Sequence, residues 1–372
     1  LNEKRKYIEF SALVLLAAGL LWWFGRRLDW AEVKQALRQS DWRWIALACA
    51  IIAVAYLFRA LRWQAFLAPL TKASLREIWI ATTVGFGAVL LVGRMGEVVR
   101  PVVLPMRDRR VRPAASFVTI MIERIYDSMT VIFIFAVNLL WFHPSSGNAD
   151  AFRHVRQFGL VLAMLGLMGL AALILFRIKA ATIILWIEGT FDRWPRLPVR
   201  IKTAVVSLLD QLARALKVLS HSRDLAVTLG WTLLLWGSVV VGNLCVFRAF
   251  HLQVGGQAFG ISESLFILGW SMVGSAVPTP GGAAGAFHAA TGAGLFFVGI
   301  EKEQAAAVAI VLHLVDFGPA ALCGLFYFLR GDISLAKLRN LTKPEAIEHA
   351  VEDEKITPAG PNAMGAVSSE PF

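Results

Sequence analysis

A proline and glycine break set between two apolar runs constrains this chain more than any other stretch. Residues 277–288 read Val-Pro-Thr-Pro-Gly-Gly-Ala-Ala-Gly-Ala-Phe-His, with apolar residues 264–276 before them and 287–298 after. Pro278 and Pro280 upset helical hydrogen bonding, and Gly281, Gly282 and Gly285 admit unusual backbone angles, so no unbroken helix is expected to pass. Each flank alone is too short to cross a bilayer. In hydrocarbon such a break is tolerated only where protein or a water-filled cavity satisfies the freed backbone groups. The break therefore marks an expected substrate site.

Composition says that a bilayer is the solvent. Of 372 residues, 57% are hydrophobic and 17% charged, with 13 Trp, and the mean hydropathy is +0.61. Those values exclude an ordinary soluble domain. The formal net charge of +11 gathers in a few loops, as positive-inside topology and anionic lipid contact require, and nucleic acid is not an expected partner. Cys49, Cys245 and Cys323 fall in apolar runs without disulfide or zinc-ligand spacing and read as small core residues.

Taken in order, residues 7–24 form a first span held by Lys4, Arg5 and Lys6, with no cleavage pattern after it. Residues 27–42 predict an interfacial amphipathic helix. A second span follows at 42–67. The apolar stretch 78–92 is short for a crossing and runs into a charged break at 93–101, and Arg107, Arg109, Arg110 and Arg112 then mark the cytoplasm. The piece between is expected to enter and leave on one side as a re-entrant hairpin. Spans at 113–142, 158–176, 225–250 and 305–328 complete the count, and the break at 277–288 lies in a second re-entrant hairpin.

The expected fold class is thus an all-α polytopic membrane protein of inverted-topology repeats with two re-entrant helical hairpins. A first membrane repeat covers 1–142 and an external linker 143–157. The second repeat covers 158–329, with a cytoplasmic amphipathic segment at 177–223, and 330–372 is a cytoplasmic, largely disordered tail.

Charges inside such a chain are costly and face a partner or a cavity. Arg59 and Arg62 sit three apart on one helical face, suited to a phosphate or to snorkelling from a helix end. Arg94, Glu97 and Arg100 crowd the first break, where an ion pair from Glu97 would lock the hairpin. Glu123 and Asp127, four apart with Arg124 between, are expected to neutralise Arg59, Arg62 or Arg94, or to relay protons. At the second break, the amides after Pro280, from Gly281 through Gly282 to Gly285, open a helix and offer donors to a phosphate or carboxylate. His288 lies one turn inside it, and His313 and Asp316 are placed to pair with it. No motif spacing supports zinc, a catalytic triad or a nucleotide loop, so neither cofactor nor metal is expected.

Four motifs in order carry a resemblance: Arg59-x-x-Arg62-Trp63, Gly93-Arg94-x-Gly96-Glu97-x-x-Arg100, Glu123-Arg124-x-x-Asp127 and Pro278-x-Pro280-Gly281-Gly282. Together they resemble the transmembrane flippase-like domain of lysylphosphatidylglycerol synthases and its stand-alone bacterial and archaeal relatives, over residues 7–329. The resemblance implies an inner-membrane protein that moves a charged-head-group lipid, phospholipid or polyprenyl-phosphate-linked, between leaflets. The synthases add a soluble aminoacyl-transfer domain, for which too few residues follow the last span here, so no enzymatic activity is expected. The family's glutamate shortly after Pro-Gly-Gly is replaced by Phe287-His288, and the last span carries His313 and Asp316 where an arginine is common.

The expected partners are membrane lipids with anionic head groups, and a homo-oligomer is compatible with the sequence. Both termini are expected in the cytoplasm. The alternatives are a membrane-embedded phosphatase or glycosyltransferase acting on a lipid phosphate, or a non-transporting envelope scaffold.

Overall fold

The computed structural model describes residues 18–26, 28–68, 70–142, 149–192, 222–277 and 279–330, with positions 15, 205, 206, 209 and 213 besides. The start of the first expected span, most of the amphipathic segment beyond 192 and the tail from 331 lie outside those residues. Residues 18–25 are helical.

Helix α1 (Trp30–Gln39) starts where Asp29 accepts the Ala31 amide at 2.8 Å, and its Val33 is buried. Asp41 caps α2 (Trp42–Leu67) in the same way, accepting the Arg43 amide at 2.9 Å. These side-chain acceptors satisfy donors that a helix start leaves open. Next come α3 (Leu75–Val92), a 3-10 segment (Gly93–Val98), α4 (Val99–Arg107) and α5 (Pro113–Trp141). The long α6 (Ala149–Asp192) is followed by α7 (Ser222–Ala249), a two-residue antiparallel ribbon (Gln253–Val254 with Gln257–Ala258), α8 (Ile261–Ala276), α9 (Ala286–Phe297) and α10 (Lys302–Leu329). Four described stretches are long and apolar enough to cross a membrane: Trp42–Leu67, Phe152–Phe176, Arg223–Ala249 and Lys302–Tyr327. Apart from the short ribbon the described residues form helices and turns, an all-α membrane architecture.

Two boundaries differ from expectation. Helix α6 begins at Ala149, inside the stretch read as a linker, and runs on through Arg177 to Asp192 with a single non-helical residue, Lys179 (φ −112°, ψ 22°). Neither proline nor glycine occurs from 177 to 188, so the helix bends there and does not stop.

At both breaks the chain folds back on itself as an antiparallel helical pair. In the first, Gly96 lies so close to the backbone of Ala88 and Val89 that a Cβ would sit 2.3 Å from the Val89 nitrogen. In the second, Gly274 fits against Ala286 and Phe287, Ser271 and Thr291 share a 2.9 Å hydroxyl hydrogen bond, and Trp270 covers Gly294. Small residues at these crossings let backbones approach, the usual means of helix association where lipid is as apolar as the side chains.

The packing follows a reciprocal pattern. Helix α2 lies antiparallel to α7, from the Asp41 amide donating to the Ala249 carbonyl at 2.9 Å to Arg62 beside Thr232. The first hairpin packs by α3 on α10 and by α4 on α5, whereas the second packs by α8 on α5 and by α9 on α10. Each hairpin thus touches both α5 and α10.

Candidate functional site

Seven charged residues predicted from the sequence fall on four neighbouring elements. Arg59 and Arg62 come from α2, Glu97 from the 3-10 segment, Arg100 from α4, and Glu123, Arg124 and Asp127 from α5. Helical spacing turns Glu123 and Asp127 to one face of α5. Arg100 grips Glu123 with a fork, Nη1 to Oε1 at 2.8 Å and Nη2 to Oε2 at 3.2 Å. Arg62 donates from Nη1 to Asp127 Oδ1 at 2.7 Å and, more weakly, to the Thr232 hydroxyl at 3.3 Å. Both arginines are sealed, Arg62 at 0% and Arg100 at 2% exposure. The Arg100 guanidinium also lies over Trp63 and Phe86, 4.6 and 5.1 Å from the ring centres, and its stem fills a notch that Gly85 leaves open.

A second layer is less committed. Arg124 donates from Nη2 to Glu123 at 2.8 Å, sits 3.2 Å from Asp127 Oδ2, and reaches Glu97 at 3.7 Å with one third of its side chain exposed. Arg59 stands 3.6 Å from Asp127 and 3.8 Å from Glu123, above the Phe86 ring at 4.7 Å. Trp236 Nε1 donates to Asp127 at 3.2 Å. Asp127 Oδ2 and the Arg124 Nε are buried yet receive or donate no hydrogen bond. Arg59, Arg62, Arg100 and Arg124 against Glu97, Glu123 and Asp127 leave one positive charge in excess among the described side chains.

Beside this network lies a cavity of about 820 Å³. Arg59, Glu97, Arg124 and Asp127 form its charged end, and Tyr56, Phe86, Phe135, Trp236, Trp270, Phe287 and Phe317 much of the rest. Asp316 of α10 lines it too, and its backbone carbonyl accepts the Tyr56 hydroxyl at 2.8 Å. Charge at one end and aromatic wall elsewhere suit a ligand that is both ionic and greasy.

The proline and glycine break forms another part of the cavity wall, through Gly282 and Ala283, and packs on the 3-10 segment that carries Glu97. Gly281, Gly282 and Ala283 all take positive φ (75°, 64° and 65°), one left-handed turn, and Gly285 follows at 82°. Glycine adopts this without steric cost, whereas Ala283 is strained. His313 stabilises the turn by donating from Nε2 to the Gly282 carbonyl at 3.1 Å. The Gly285 amide donates to His288 Nδ1 at 3.3 Å, and the two imidazole rings meet edge to face at 4.7 Å.

A family model described as lysylphosphatidylglycerol synthase TM region matches residues 10–324. The chain belongs to that family. UPF0104 membrane protein PH1989 of Pyrococcus horikoshii is 22% identical over 339 residues, which cover 86% of this chain and 95% of the relative. The family match over residues 10–324 spans both hairpins and every residue of the charge network.

In this family member, four predicted placements come out differently. Glu97 does not lock the first hairpin by pairing with Arg100; it reaches Arg124, and Arg100 takes Glu123. Three residues apart would share a face on one helix, but here a 3-10 segment ends at Val98 and an α-helix begins at Val99. Arg62 and Arg100 are sealed away from the cavity, so Arg59 and Arg124 are the described arginines on its wall. The Gly285 amide, expected to await an anion, is taken by His288. Asp316 pairs with neither histidine, because His313 is drawn to Gly282. The Arg94, Pro278 and Pro280 side chains lie outside the described residues. Sequence reasoning passed over Tyr56, Phe86 and Trp236, which look like ordinary apolar span residues. Tyr56 sits one turn before Arg59, and that spacing was the available signal.

Proposed function

We propose that this protein moves a lipid with a phosphate-bearing head group between the leaflets of the cell's inner (plasma) membrane, without altering the lipid chemically. The observation that carries this reading is the cavity of about 820 Å³ whose largely apolar wall bears Arg59 and Arg124 at one end. Guanidinium groups bind phosphate oxygens strongly when water is scarce. Arg62 and Arg100, each already matched to a carboxylate, hold the acids in place so that the excess positive charge falls on the cavity side. The volume lies in the range of pockets that hold small ligands, about 300–1,000 Å³, so the head group enters and most of the tails stay in the bilayer.

Antiparallel α2 and α7, and the exchange of hairpin partners between α5 and α10, support two inverted repeats. In that arrangement the hairpins are re-entrant, both termini are cytoplasmic, and rocking of one half on the other opens the cavity to each leaflet in turn.

Reconstitution with fluorescent phospholipid tests this. Arg59→Ala combined with Arg124→Ala removes two charge-assisted contacts, each worth about 1.5–3 kcal/mol, and exchange between leaflets slows at least about tenfold. Folded protein of that kind with undiminished exchange overturns the reading, as does release of inorganic phosphate or sugar from the lipid by wild-type protein.

A further inference from the structure

Asp316 is left over by the charge network. Among the described residues its carboxylate has no ion pair and no hydrogen bond, although it lines the same cavity as Arg59 and Arg124. Helix α2 links the two ends, since Tyr56 holds the Asp316 carbonyl at 2.8 Å and Arg59, one turn on, lies 3.6 Å from Asp127. His313, one turn before Asp316, is occupied by Gly282 and supplies it no cation. An acid in a membrane-spanning helix is costly and marks a partner or a cargo. The rings of Tyr56, Phe287 and Phe317 share this part of the cavity, and a carboxylate set among aromatic faces is the chemistry that accepts an ammonium group.

Building on the lipid-transport reading above, we infer that the cavity takes a zwitterionic head group, its phosphate against Arg59 and Arg124 and its ammonium against Asp316. The charges close pole by pole. The described network carries one surplus positive charge for the phosphodiester, and the Asp316 carboxyl, once ionised against an ammonium group, supplies the matching negative charge. A head group with phosphate alone leaves Asp316 uncompensated.

The test is competitive lipid retention by the purified full chain, read by native mass spectrometry. Phosphatidylethanolamine is set against phosphatidylglycerol and against phosphatidylethanolamine whose amine has been acetylated. Wild-type protein retains the free-amine lipid about tenfold over either competitor, equal to about 1.4 kcal/mol. In Asp316→Asn the ratio falls towards one, and in Asp316→Glu a preference persists. Lipid retention without amine preference in wild type, or an unchanged preference in Asp316→Asn, overturns the inference while leaving lipid transport standing. Failure to retain any of the three phosphodiesters removes the transport reading and this inference with it.

Discussion

Replacing Glu123 with leucine is the most informative single perturbation of the network, because its carboxylate is fully buried and holds two short contacts, Arg100 at 2.8 Å and Arg124 at 2.8 Å. At 2.8 Å the Arg100 attraction is about 6 kcal/mol for an effective dielectric of about 20. Most of that offsets desolvation, so the pair adds little over a well-packed apolar substitute, whereas removing one partner strands the other. Glu123→Leu and Arg100→Met are therefore each expected to cost about 3–5 kcal/mol. The double variant, with no stranded Arg100 and a comparable volume, is expected to cost little more than the worse single one. That gives a coupling of at least about 2 kcal/mol, well above the few tenths seen for independent sites. Reversible unfolding in mixed micelles, followed by tryptophan fluorescence, measures all four corners of the cycle. Additive losses, with coupling below about 0.5 kcal/mol, would refute the idea that these two charges exist for each other.

Two further expectations concern the first hairpin. Gly96→Ala is expected to destabilise more than Gly85→Ala, since the new Cβ meets backbone at 2.3 Å in the first case and the flexible Arg100 stem at 2.0 Å in the second; overpacking of the latter kind costs about 1–3 kcal/mol. The opposite order in the same unfolding assay sinks this account of the close approach. At the hairpin's mouth, hydrogen bonds from Arg110, helped by the Ser74 and Arg110 amides, pull the Asp108 carboxyl from 3.8 down to about 2. The folded value lies below the unfolded one, so the stabilisation is present above about pH 4 and is lost as pH falls from 3.8 towards 2. Asp108→Asn should flatten the unfolding profile across that window, and a profile as steep as wild type would show that other groups control it.

The helical layout was legible because its signals are long and additive. Runs of apolar residues fixed α2, α5, α7 and α10, whereas the caps Asp29 and Asp41 became visible only in the structure. Both hairpins were legible from a break flanked by halves too short to span. The length of α6 was not. Charge composition after Arg177 suggests a change of environment, but charge does not end a helix when no residue interrupts its hydrogen bonds, and from 177 to 188 none does.

The site was legible as a set of residues and illegible as a set of roles. Its seven described charges do converge, since a buried charge must find an opposite one wherever the fold allows. Which arginine faces the cavity depends on the helical phase, and the change from 3-10 to α geometry between Val98 and Val99 resets that phase. Arg100 consequently turns into the protein, onto Trp63 and Glu123, and Arg124 becomes the exposed partner although it reads as a spacer between two acids. The histidines follow the same logic. A left-handed turn at Gly281, Gly282 and Ala283 presents a carbonyl and an amide with no helical partners, and His313 and His288 answer them one for one. With both imidazoles spent on backbone, Asp316 is released to the cavity. His288, His313 and Asp316 thus organise the corner as a unit, two imidazoles held by backbone and an acid lining the cavity.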